Sequence, residues 1–141
     1  MIPRKAEARD ATQVAKIMQD WMDATQWLPD LHDLEETIGF AQRRLIGAYE
    51  TYVFGDPVAG FISIEPDCAV AALYVSDRNR GIGSALITHA KSLKPALSLW
   101  VFEANTDAIR FYERHGFKEV RRTAGDNDEG IPDILMAWPG T

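Results

Sequence analysis

Between residues 10 and 24 the apolar side chains Val14, Ile17, Met18 and Trp21 recur every three or four positions, a spacing that predicts an amphipathic helix. Asp10, with Gln13 three residues later, has the spacing of a capping box at its start. Asp33 and Glu36 repeat the device ahead of Leu34, Ile38, Ala41 and Leu45, and Gly47 is placed to stop this second helix. From Tyr49 the pattern changes. TYVF, GDP and VAGFISI together read as a hairpin closed by a Gly-Asp-Pro turn. A further turn at EPD leads into CAVAALYV, which is apolar on both faces and is therefore expected at the centre of a sheet. A helix follows the stretch RNRGIGS and stops at Pro95. After it come a strand LSLWVF, a helix from about Asn105 to His115 ended by Gly116, and two strands, FKEVRRT and IPDILMAW, around the polar loop AGDNDEG. The order is β, α, α, β, β, β, α, β, α, β, β. Antiparallel hairpins combined with two strand-helix-strand crossings imply an α+β fold of three layers. In it a mixed, mostly antiparallel twisted sheet of about seven strands is flanked by about four helices. No repeat, low-complexity run or linker interrupts the chain, so residues 1–141 are expected to form a single domain.

Composition narrows the function. With 141 residues, 46% hydrophobic and 26% charged, the chain can bury one core of ordinary size. A net charge of -6 repels a phosphate backbone, and no basic stretch carries interleaved aromatics, so nucleic acid is excluded as the main partner. Cys68 is the single cysteine, which precludes an internal disulfide. With His32, His89 and His115 scattered, no metal-ligand spacing exists and no metal is expected. Cys68 is expected as a small buried hydrophobe. The start MIPRKAEARD has no signal-peptide core and no stretch is long and apolar enough for a membrane span, so a soluble, cytoplasmic protein without membrane partners is expected. The AGDNDEG loop fails as a calcium loop, because its glycine is misplaced relative to Asp126 and no glutamate follows at the required position.

The stretch RNRGIGS, residues 78–84, is the first candidate for chemistry. A loop that turns directly from a strand into a helix leaves the first helical N–H groups unpaired and pointing outward, an anion site. Gly81 and Gly83 let a bulky phosphate approach the backbone, and Arg78 and Arg80 add fork-shaped donors. A dinucleotide fingerprint requires a small residue where Leu86 stands, and a P-loop requires a lysine after Gly83, so neither fits. The alternative that the glycines only shape a turn, with solvated arginines, stays open on this stretch alone.

Residues 105–117 read NTDAIRFYERHGF, which places Asn105 and Tyr112 on one helical face. With R-x-x-G-x-G at residues 78–83, this pair closely resembles the GNAT superfamily of acetyl-CoA-dependent N-acetyltransferases. The motifs cover about residues 50 to 120 and the order of elements covers the rest. The resemblance implies acetyl-CoA as co-substrate. It implies that Leu73, Tyr74 and Val75 form the strand against the pantetheine arm, with Leu73 and Val75 pairing to it. Arg78, Asn79, Arg80, Gly81, Ile82, Gly83 and Ser84 would hold pyrophosphate, and Asn105 and Tyr112 would face the arm and the sulfur. Two departures stand out: Asn79 replaces a glycine common in the family, and the loop from Val75 to Arg78 is shorter than usual, which affects which arginine meets phosphate.

Acetyl transfer to an amine needs a neutral nitrogen, a donor for the developing oxyanion and a proton for the departing thiolate. A backbone N–H of the central strand serves as the oxyanion donor if CAVAALYV and LSLWVF diverge, as they do in the family. Tyr112 is the natural acid, since a phenol with a reference pKa near 10 stays neutral beside a thiol of about 8.5. The plainer role for Tyr112 is closing its helix against the sheet, and the plainer role for Asn105 is an N-cap with Asp107 in the first turn. Glu65 and Asp67, at the turn before the central strand, are candidate bases, with Glu103 a third. Between residues 20 and 36 there are six acidic side chains, no Lys or Arg, Trp21, Trp27 and His32. This suits a cation, so a small amine or an exposed amino group is the expected acceptor, with Trp27 and His32 lining its site and Trp21 in the core. The expected function is direct N-acetyl transfer, with a homodimer left open. The alternatives are a non-catalytic acyl-CoA-binding or regulatory module and a nucleotide-binding protein.

Overall fold

The computed structural model describes residues 2–76 and 80–140. Seven strands form one sheet: β1 (Arg4–Lys5), β2 (Glu50–Phe54), β3 (Gly60–Ile64), β4 (Ala69–Val75), β5 (Leu97–Phe102), β6 (Lys118–Thr123) and β7 (Asp133–Trp138). Their spatial order is β1-β2-β3-β4-β5-β7-β6, antiparallel throughout except for β4 beside β5. Four α-helices accompany the sheet: α1 (Ala11–Ala24), α2 (Leu34–Phe40), α3 (Ile82–Leu93) and α4 (Thr106–Arg114). The α+β architecture expected from the pattern is the one observed.

Each face of the sheet has its own core. Val14, Ala15, Leu45, Phe61 and Ala72 pack where α1 and the extension of α2 cover one face. Ile62, Leu86, Ile87, Leu99, Met136 and Phe117 pack on the other, under α3 and α4. β5 shows the expected alternation: Leu97, Leu99 and Val101 are buried while Trp100 is exposed.

Four local expectations are corrected. Asp10 does not cap α1 through Gln13. Its carboxylate accepts two hydrogen bonds from Arg4, both 2.9 Å, and one from the Glu7 N–H at 2.7 Å. A buried charge needs its counter-ion more than a helix end needs a cap. Gln13 instead accepts from the Val58 N–H at 2.8 Å, which ties α1 to the β2–β3 turn. The Asp33–Glu36 box does form, at 2.8 and 3.2 Å. Second, α2 continues into a π-helical turn, Ala41–Ile46, before Gly47. A Cβ on Gly47 would sit 2.6 Å from the Gln42 carbonyl oxygen, so only glycine fits that tight exit. Third, Cys68 is half-buried at φ 68 in the β3–β4 turn rather than a core residue. Fourth, Trp21 is half-buried at the cleft described below.

The central strand is irregular in a way that matters. Ser63 of β3 faces Ala72 and Ile64 faces Val70, so Ala71 is an extra residue in β4, a β-bulge. Val70 therefore packs into the core under α3 while Ala72, two residues on, packs under α1. β4 also pairs with β5 only at Ala69–Ser98 and Val70–Leu99. Beyond that point β5 stays paired with β7 along its whole length, Leu97 to Phe102, and β4 leaves it.

Candidate active site

Where β4 and β5 part, a cleft of about 380 Å³ opens between them, within the range of small-molecule sites. Ser76 donates its N–H to the carbonyl of Ala59, the residue just before β3, at 2.8 Å. Because successive residues of a strand point their N–H and C=O groups to opposite sides, Leu73 and Val75 turn theirs toward the cleft. Both residues line it. No strand occupies that side, so a row of main-chain donors and acceptors faces an open gap.

The start of α3 closes one end of the cleft. Gly81 is the N-cap at φ 74, and a Cβ added there would meet nothing within 4 Å. The first helical bond runs from the Ala85 N–H to the Gly81 carbonyl at 3.0 Å, leaving the N–H groups of Ile82, Gly83 and Ser84 at the open end. Gly83 has a second use: a Cβ there would lie 3.3 Å from ring carbons of Phe111. Its small size seats α4 against α3. Arg80 lines the cleft at this end with Asp107 and Arg114. Arg78 and Asn79 lie outside the described residues.

On α4, Asn105 caps the helix by accepting from the Ala108 N–H at 3.3 Å, and it also lines the cleft. Both roles expected for it are thus compatible. Tyr112 lines the same wall with only 9% of its surface exposed, its ring edge-on to Phe111 at 5.3 Å and to Phe117 at 5.5 Å. Burial pushes its phenol well above the usual value, and the nearby Tyr74 phenol adds to the effect. Tyr74 is itself pushed up to about 12, by burial first and then by the Glu129 carboxylate. One turn beyond Tyr112, the His115 Nε2 lies 3.0 Å from the Ser84 Oγ.

The opposite end of the cleft is aromatic. Trp21 lines it, with its ring 5.2 Å from Tyr74 and 6.0 Å from Trp27, and Trp27 reaches Phe102 at 5.6 Å. Trp27, expected to line the acceptor site, thus packs against two rings of the cleft but is not among the residues that line it. His32 does not line the cleft. It borders a smaller depression with Leu28, Pro29, Asp30 and Glu129, 3.9 Å from Glu36. Glu65 and Asp67 do not line the cleft either. Burial and Asp67 raise the Glu65 pKa, while Arg44 and Tyr49 oppose that shift. Asp67 accepts from the Ala69 N–H at 3.2 Å. Glu103 lies 3.6 Å from Arg122. Among the described residues no cluster of His, Cys, Asp or Glu is arranged to hold a metal ion.

Glu129 was missed by sequence reasoning. The loop between β6 and β7 read only as a failed calcium loop, yet it carries this carboxylate to the α1–α2 loop and within electrostatic range of Tyr74. Asn127 pins the loop, donating to the Ile131 carbonyl at 2.8 Å and to Asp133 at 3.0 Å and accepting from the Gly130 N–H at 2.8 Å. No spacing in the sequence links residues 25–33 to residue 129.

An open gap edged by main-chain groups, a helix start with unpaired N–H groups at one end and a phenol on the adjoining wall have the shape and polarity for an extended donor with an anionic tail. The chain belongs to the GNAT acetyltransferases: the family described as "Acetyltransferase (GNAT) domain" matches residues 34–119. It is 27% identical to the peptidyl-lysine N-acetyltransferase YiaC of Escherichia coli, over 91% of this chain and 92% of that protein. It is 31% identical to the peptidyl-lysine N-acetyltransferase YjaB of Salmonella typhimurium, over 88% of this chain and 71% of that protein. The fold is shared with YncA of Salmonella typhimurium, solved with acetyl-CoA, at a TM-score of 0.75 and 17% identity over 97% of this chain and 92% of that one.

Proposed function

We propose that this N-acetyltransferase moves the acetyl group of acetyl-CoA directly onto a primary amine, and that the amine is a lysine side chain presented by a protein or peptide. The observation that carries the donor half is the parting of β4 from β5, which turns the Leu73 and Val75 main-chain groups to the gap beside the start of α3. Those groups suit the two amides of a pantetheine arm. The N–H groups of Ile82, Gly83 and Ser84 suit the diphosphate, and the empty space beside Gly81 admits its bulk. Arg80 supplies positive charge there.

In the reaction the amine lone pair attacks the thioester carbon, the carbon–sulfur bond breaks, and the sulfur leaves as a thiolate that takes up a proton. A β4 amide on the open side stabilises the oxyanion. Tyr112 donates a hydrogen bond to the sulfur. Its raised pKa keeps it protonated at any working pH, and also makes it a reluctant acid, so it shares its proton as the thiolate forms rather than giving it up beforehand. The amine must lose a proton as well. Glu65 is the better poised of the two candidate carboxylates, because burial and Asp67 bring its pKa up, but from outside the cleft lining it acts only through a water relay.

The acceptor half rests on the aromatic wall. Trp21, Trp27 and Phe102 offer ring faces and edges to an alkyl-ammonium chain, Glu129 supplies negative charge near Tyr74, and Trp27 is 37% exposed, open to a large partner. YiaC and YjaB act on peptidyl-lysine, which favours a protein acceptor over the small amine that the sequence suggested. The test is thiol release from acetyl-CoA with lysine-containing peptides and with free polyamines, each product weighed by mass spectrometry. Acetylated lysine peptide is the expected result. Turnover with polyamines alone would return the acceptor to small molecules, and no turnover with any amine would remove the amine-acceptor reading.

A further inference from the structure

Ser84 and His115 form a pair that the transfer chemistry does not use. Ser84 sits in the first turn of α3 and lines the cleft, while His115 ends α4 with its Nε2 3.0 Å from the Ser84 Oγ. The histidine is held from several sides. Its backbone carbonyl accepts from Lys91 of α3, and its ring tilts against Phe111 at 4.7 Å. The charged groups acting on it are Lys91 from α3 and Arg114 from its own helix. β7 brings only Trp138 against the neighbouring Gly116. With no carboxylate among those influences, burial, Lys91 and Arg114 all lower its pKa, so the ring is neutral at pH 7 in the free protein.

We propose that His115 is a positioning residue for the donor's diphosphate, acting through Ser84, and that binding of the diphosphate draws a proton onto His115. When the ring donates Nε2–H to Oγ, the serine hydroxyl hydrogen is left to point at an anion beside the α3 start. The chain of donors, ring to hydroxyl to phosphate, is polarised in one direction. An anion there opposes the field of Lys91 and Arg114 and raises the histidine's pKa. The sign follows from linkage: the bound state has the higher pKa, so affinity strengthens as pH falls through the bound-state value and levels off below the free-state value. This inference rests on acetyl-CoA being the donor.

The test is calorimetric affinity for acetyl-dephospho-CoA between about pH 5.5 and 8. That ligand lacks the 3′-phosphate monoester, whose own titration near pH 6 would mask the effect, and its diphosphate does not titrate in this window. Wild-type protein should bind about 3- to 10-fold more tightly at the acid end, with net proton uptake. His115→Gln, which keeps an N–H donor but cannot titrate, should hold the affinity of wild type at pH 8 and lose the pH dependence. Ser84→Ala should lose the pH dependence and be weaker at every pH. A His115→Gln profile that superimposes on wild type, or a Ser84→Ala protein that keeps the slope, overturns the inference. The two variants serve as independent checks should either fold poorly. If wild type shows no saturable binding at any pH, the donor reading itself falls, a different outcome from binding that is indifferent to His115.

Discussion

The two ends of the cleft are built from different materials. At the α3 end the groups proposed to recognise the donor are main chain: Leu73 and Val75 of β4, then the N–H groups that follow Gly81. The side chains proposed for the acceptor come from separate parts of the chain: Trp21 from α1 and Phe102 from β5, which line the cleft, and Trp27 from the loop after α1 and Glu129 from the β6–β7 loop, which stand beside it. A main-chain site constrains side chains by exclusion, so it leaves glycines at fixed spacing in the sequence. A side-chain site assembled from distant loops constrains each residue separately and leaves no local pattern. The proposed donor end therefore carries a signature that can be read in the sequence, and the proposed acceptor end carries none.

Three substitutions sharpen this contrast, in descending order of effect. Tyr112→Phe removes the proton partner proposed for the sulfur, and should lower kcat about 100-fold with little change in the KM for acetyl-CoA. An unchanged kcat would leave Tyr112 with only its packing against Phe111 and Phe117. Gly81→Val places a β-branched residue at φ 74 with its side chain in the open space, and should raise the KM for acetyl-CoA about 10-fold while the KM for the acceptor holds. Steady-state kinetics with both substrates varied would register it, and a rise in both KM values would mean that the ends are not separable. Glu129→Gln should do the reverse on a smaller scale, raising the acceptor KM about 3- to 5-fold at constant acetyl-CoA KM. If it changes neither constant, the β6–β7 loop is no part of acceptor recognition.

The sequence displays these features unevenly. The placing of CAVAALYV at the centre of the sheet was legible because apolarity on both faces has one explanation, a strand covered on both sides. The Asp33–Glu36 cap was legible because its partners are local. Asp10 misled because its true partner, Arg4, arrives from the neighbouring strand β1 and satisfies a buried charge, which outweighs a cap. Trp21 misled for a related reason: periodicity places it on the inner face of α1, but cannot tell whether that face meets packed sheet or the gap beside Tyr74. The π-helical turn before Gly47 and the approach of Glu129 to the α1–α2 loop have no local signature. Gly83 shows a subtler limit. The spacing correctly marks it as a glycine that must stay small, yet at its Cβ position the near neighbour is Phe111.

The extra residue in β4 has one further effect. Ala71 sets the phase between two stretches of the same strand: Val70 and Leu73 look toward α3, and Ala72 and Tyr74 toward α1. Deleting Ala71 would restore unbroken alternation, with Val70 and Leu73 still toward α3 and Ala72 and Tyr74 still toward α1. What the strand would lose is the local bend and added twist of the bulge, placed where β4 leaves β5, so an unbulged β4 would run closer to β5 and cover the open edge while leaving every functional side chain in the sequence.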